Sequence, residues 1–325
     1  MQFIRLFSLL LLILGCNQQA RFTHLEGTYL GQKSPGTTAS LFAPGIISNA
    51  LNERDQTISP DLNEFIFAIL ENPHNVLVSV KYENNRWTLP EVLPFSGKYN
   101  DCEPSFSPDG KRLYFCSDRP LIDGDKPKDY DIWFVERAES GWGVPQNPGA
   151  PLNTEKNEFY PSVTNSGCLY FTSHDMKIKK SNPTHSGYST PEVLSDSVNS
   201  GTAEYNAFIA ADESYLIFTS HGWPGGRKGR GDLFISFRKP DNTWSRSQNL
   251  GTGINSTTTE MSPAISPDGK YLFFSSRRAL AEYDPEPVRS YSELYKKSNG
   301  PGNGKSDIYW VETTAIDSLK SIMLK

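Results

Sequence analysis

Five acidic residues recur at one place in a repeated pattern. Glu53, Asp101, Glu158, Glu204 and Glu260 each stand eight residues before the Asp, or its equivalent, of a short turn. Five carboxylates around one opening would create a negative field able to hold a cation or a basic peptide. The same recurrence suits a structural role, in which each acid accepts hydrogen bonds from the backbone of its own or a neighbouring unit. Three further aspartates, Asp131, Asp232 and Asp307, open the short apolar segments DIW, DLF and DIY. Catalysis usually needs one asymmetric cluster, so an acid that returns in unit after unit reads as a structural hydrogen bond.

Other candidate binding residues fall in long loops, which more often carry function than scaffold. Asp123 and Asp125 flank Gly124 in an acidic loop with the oxygen ligands a hard cation prefers, but without a full calcium-loop spacing. His221, Trp223 and Arg227 lie in a glycine-rich loop, and Tyr283, Tyr291 and Tyr295 in a longer one over 277–306. Aromatic residues with arginine are typical of recognition surfaces. The sequence contains no HExxH, no GxSxG and no CxxC, so no catalytic residue, metal ligand set or cofactor is assigned. His174 and His221 share the context TSH, which leaves a metal-dependent lyase as a minority reading. Cys102 and Cys116 flank one turn almost symmetrically. They fit either a cross-strand disulfide or two small buried residues.

The elements that must position these residues are strands. Five turns align: 59–61 (SPD), 107–110 (SPDG), 164–167 (TNSG), 210–212 (AAD) and 266–269 (SPDG). Pro presets φ, Asp bonds its own backbone and Gly takes the positive φ, as a hairpin turn requires. Each turn precedes an apolar-aromatic run such as Leu113-Tyr114-Phe115 or Leu272-Phe273-Phe274. The three aspartates open a third strand, and Trp87, Trp142, Tyr188 and Trp244 mark the start of a fourth. Spacings of 48, 57, 46 and 56 residues lie in the range of propeller repeats. The reading is an all-β chain forming a five-bladed β-propeller over 38–314, with six blades as the alternative. The fifth unit lacks a fourth strand, and residues 38–48 supply it, closing the ring. Residues 315–325 form a short tail.

The text SPDGKRLYF at 107–115, followed by DIW, resembles the WD40-like repeats of TolB-type propellers. The resemblance covers about 38–313 and implies the fold; one scaffold hosts many functions. The stretch Ile13-Leu14-Gly15-Cys16 ends an apolar run too short to span a bilayer and resembles the lipobox of bacterial lipoproteins. That resemblance implies a signal peptide over 1–15, acylation of Cys16, a tether over 16–37 and, with Asn17 next, an outer-membrane address. The net charge of −5 disfavours nucleic acid. The expectation is therefore a lipid-anchored, non-enzymatic propeller. It would bind a protein or peptide on the face carrying the long loops, with a cation at the channel mouth as a second candidate ligand. The alternative is an envelope hydrolase, lyase or carbohydrate-binding protein using the same face.

Overall fold

The computed structural model describes residues 25–139, 141–226, 229–278 and 289–323. Five antiparallel sheets follow one another along the chain, each built on an inner strand that starts at or beside one of the five recurrent acids. The inner strands are Glu53–Ile58, Asp101–Phe106, Glu158–Val163, Ala203–Ile209 and Glu260–Ile265. Each pairs with a second strand, which pairs with a third; the sheets are the blades of a five-bladed propeller. Asp131, Asp232 and Asp307 are the first residues of third strands.

The ring closes as the sequence suggests. The segment Ser40–Leu41 forms the outer strand of the fifth blade, with Ser40 opposite Trp310 and Leu41 opposite Tyr309. The fourth strands differ from expectation in register. Trp87 and Trp142 sit in the hairpin that leaves the third strand, and Trp244 makes only an isolated bridge to Arg238. In the first, third and fourth blades the outer pairing falls a few residues later, at Glu91–Val92, Glu192–Val193 and Gln248–Asn249. Such two-residue edge strands leave little open template for unwanted pairing.

The third strand is held by a repeated clamp. Asn153 accepts from Ile132 N–H at 3.0 Å and donates to Ile132 C=O at 2.8 Å. Asn199 does the same to Ile178, and Asn255 to Leu233. In the fifth blade Ser48, from the closing segment, takes that place against Ile308. Asn147 and Asn249 complete the pattern by donating to Asp131 at 2.7 Å and Asp232 at 3.0 Å. Asn255 is buried, so Asn255→Ala would strand a buried N–H and a buried C=O. A loss of about 2–3 kcal/mol is expected, measured by urea unfolding.

Two segments expected as peripheral are docked. From residue 25 onward the tether region packs on the ring: Tyr29 and Leu30 are buried among Phe42, Phe65, Phe273 and Trp310. The tail forms the helix Thr314–Met323, whose Ile316 joins the core of the fourth and fifth blades. Cys102 and Cys116 oppose each other across the hairpin as buried free thiols.

Candidate functional site

The five recurrent acids are buried, with 0–2% exposure. Each carboxylate reaches back to the loop that precedes its strand. Glu53 accepts from Asn49 N–H, Glu158 from Thr154 N–H, Glu204 from Gly201 N–H and Glu260 from Ser256 N–H, at 2.6–3.3 Å. Asp101 accepts from Ser96 Oγ at 2.8 Å. Cations complete three of them: Arg119 on Asp101, Lys177 on Glu204 and Arg278 on Glu260. The structure therefore brings these acids to equivalent places, but buried inside the blades and hydrogen-bonded to their own loops rather than as free charges on an open mouth. The reason is desolvation: a carboxylate at the start of an inner strand is covered by the next blade and must find donors locally.

The residues nearest the axis lie two positions further on. Asp55, Glu103, Tyr160, Asn206 and Ser262 all have φ between 51° and 56°, and at this point every inner strand breaks register with its partner. The bulge turns one side chain per blade toward the centre. Glu103, in the second blade, accepts from Tyr160 N–H of the third at 2.7 Å and from Asn206 Nδ2 of the fourth at 2.9 Å. Tyr160 O–H, in the third blade, donates to Pro263 C=O of the fifth at 2.9 Å. The Asn206 and Pro263 bonds join blades that are not neighbours, so they cross the axis and close it. Ser262 donates to Asp55, and Arg54 Nε lies 2.9 Å from Asp55 with its guanidinium 3.8 Å from Glu103. Burial first, and then the Asp55 charge, raise the Glu103 carboxyl above its usual range against the pull of Arg54. Sequence comparison between blades missed this ring because its five residue types differ. The available signal was the proline that follows in three copies, Pro104, Pro161 and Pro263, at a place where an inner strand has no neighbour to donate to.

Beyond this floor the channel widens into a funnel of about 620 Å³, open on the face of the SPDG turns and lined by all five inner strands. Its walls include Ile58, Phe106, Val163, Phe208, Ala264 and Ile265. This is the face opposite the long loops that sequence reasoning favoured. The inner strands turn their free side toward the cavity, where side-chain hydroxyls meet the backbone of the next blade in two places. Thr57 Oγ1 accepts from Phe106 N–H, and Ser162 Oγ from Ile209 N–H, each across a blade boundary. At the equivalent positions facing the Ile265 and Ile58 amides stand Phe208 and Ala264, which have no hydroxyl.

The loop-face candidates are scattered. Asp123 is exposed and pairs with Lys98 at 2.5 Å and Tyr99 O–H at 3.1 Å; Asp125 is exposed nearby. Among the described residues no group of three or more His, Cys, Asp or Glu is arranged to hold a metal. His221 ends a second strand, 2.9 Å from Tyr205 O–H, and desolvation lowers its pKa. Trp223 is not on the ligand surface: it is buried against Phe218 and Phe234, because the glycine-rich loop folds its one large apolar side chain under itself. Tyr291 and Tyr295 are exposed on the short helix Tyr291–Ser298. Cys16, Arg227 and Tyr283 lie outside the described residues.

A closed five-bladed propeller with a sealed floor and one open funnel defines the class of the molecule. No family model and no curated protein matches the chain. Solved structures similar in fold include an α-L-arabinofuranosidase from Podospora anserina, at 12% identity over 85% of this chain and 97% of that one, with a TM-score of 0.50. A GH43 endo-arabinanase from Bacillus licheniformis aligns at 12% identity over 80% and 93%, with a TM-score of 0.49. TolB from Acinetobacter baumannii aligns at 15% identity over 81% of this chain, with a TM-score of 0.47. The chain spans 57% of that TolB. At such identities the likeness is one of fold.

Proposed function

We propose that this chain is a lipid-anchored, non-enzymatic binding propeller of the bacterial cell envelope, and that its ligand is an extended, apolar stretch of polypeptide received in the central funnel. The observation that carries this is the funnel's make-up: apolar walls from five blades combined with inner-strand edges at Ile58 and Ile265 that face Phe208 and Ala264 rather than a side-chain hydroxyl. Apolar pockets bind side chains and strand edges bind a backbone, and an extended peptide offers both. The membrane attachment rests on the sequence around Cys16. A peptide-display selection on the immobilised protein tests the ligand class. Apolar sequences should be enriched, and Ile265→Arg, which puts a charge into the funnel wall, should abolish their capture. Absence of enrichment, or capture indifferent to that substitution, overturns the reading.

A second reading has one observation in its favour: two carboxylates, Asp55 and Glu103, stand at the axis of a fold that arabinan-active enzymes also use. Glycoside hydrolysis needs two carboxyl groups facing an open subsite at about 5–10 Å separation. Here both are 6% exposed or less, and Ser262, Arg54, Tyr160 N–H and Asn206 occupy their oxygens. The purified protein is therefore expected to release no arabinose from arabinofuranosides. Release that disappears in Glu103→Gln would reverse the order of the two readings.

A further inference from the structure

We propose, resting on the reading of Cys16 as a lipid anchor, that the anchor holds the propeller with its turn face and funnel mouth toward the bilayer, and that the polypeptide entering the funnel rises from that same membrane. The basis is where the N-terminal segment meets the ring. Leu25 C=O accepts from Trp87 N–H at 2.9 Å, and Gly27 C=O accepts from Trp87 Nε1 at 2.8 Å. Trp87 follows the Asn84-Asn85 hairpin, which lies at the turn-face end of the first blade because the third strand runs parallel to the inner one. Tyr29 O–H donates at 2.6 Å to Asp268, inside the SPDG turn of the fifth blade. Further on, Gly36 C=O accepts from Glu312 N–H at 2.8 Å, at the end of a third strand and so on the same face. The segment is thus fixed along the turn-face rim, beside the funnel.

Eight residues, 17–24, separate Leu25 from Cys16. Fully extended they reach roughly 30 Å. An inner strand of six residues is about 20 Å long. To present the loop face to the bilayer, the tether would spend most of its reach running along the outside of a blade. With the turn face down no such detour is needed. A funnel that opens toward the bilayer within a tether's reach of roughly 30 Å favours a partner already attached to the membrane over a free macromolecule.

The test uses the full-length lipidated protein in phosphatidylethanolamine–phosphatidylglycerol vesicles carrying a headgroup nitroxide quencher. Cys102, Cys116 and Cys168 are buried, so a fluorophore reports an introduced surface cysteine. Ser166 is exposed in a turn of the third blade, across the ring from the tether, and Ile122 is 70% exposed on the loop face. Quenching should be several-fold stronger for Ser166→Cys than for Ile122→Cys. Polyethylene-glycol maleimide should react several-fold more slowly with Ser166→Cys on vesicles than with the same variant carrying Cys16→Ser in solution. Equal quenching, stronger quenching at position 122, or unhindered reaction at position 166 overturns the proposal, as does membrane binding that persists in Cys16→Ser. The display selection needs no membrane, so failure of the ligand reading and failure of the orientation are read separately.

Discussion

Glu53→Gln is expected to stabilise the protein above about pH 8 and to flatten its loss of stability between about pH 5 and 8. Glu53 is fully buried and accepts the Asn49 N–H at 3.3 Å, and among the described residues its Oε1 has no hydrogen-bond partner. Unlike Asp101, Glu204 and Glu260, it forms no ion pair with a cation among the described residues. Burial, and further down the nearby Asp307 charge, push its pKa up to about 8. In the unfolded chain the same group ionises near 4.5. Between these values the native state binds more protons than the unfolded state, so stability falls as pH rises through that window and levels off on either side. A shift of this size corresponds to on the order of 3–5 kcal/mol. Gln cannot ionise and still accepts the Asn49 bond. Asp307, raised to about 6 by its own burial, adds a smaller fall at the lower end. Urea unfolding of both proteins at about pH 5, 7 and 9 decides the matter, and parallel pH profiles would sink it.

Phe42→Ala should cost about 3–5 kcal/mol, the range for deleting a buried aromatic ring. Phe42 is fully buried in the closing segment. Its ring lies 5.2 Å from Phe65 in the first blade, and 5.0 and 5.1 Å from Phe273 and Trp310 in the fifth. It thus ties the two ends of the ring together through edge and tilted aromatic contacts. The loss should appear as a lower urea midpoint with trypsin cleavage appearing first near residues 32–54. A change below about 1 kcal/mol would mean that closure does not depend on this cluster.

Much of the fold was legible because its signals are local and repeated. A Ser-Pro-Asp-Gly turn dictates its own hairpin, and Asp recurs at third-strand starts. The closing segment was legible by what the fifth unit lacked. Outer strands were not, because two exposed residues such as Glu192 and Val193 carry no periodicity. Trp87 and Trp142 misplace them by marking the hairpin instead. The acids were found at equivalent places, but charge alone says nothing about burial. Their donors, among them Thr154, Gly201 and Ser256, are ordinary loop residues. The funnel was missed for a related reason: its walls are Ile, Phe, Ala and Pro, types that read as core until five strands leave a space between them.

Joining Ser40–Leu41 to Asp307–Glu312 also fixes an order of events in synthesis. The residues that zip the last blade leave the ribosome well before their partners, and they stay single until the strands of all the other blades have followed. Contacts this distant in sequence slow folding and prolong the exposure of unpaired edges. Nascent chains halted before residue 307 would therefore be the stage at which a chaperone is most needed.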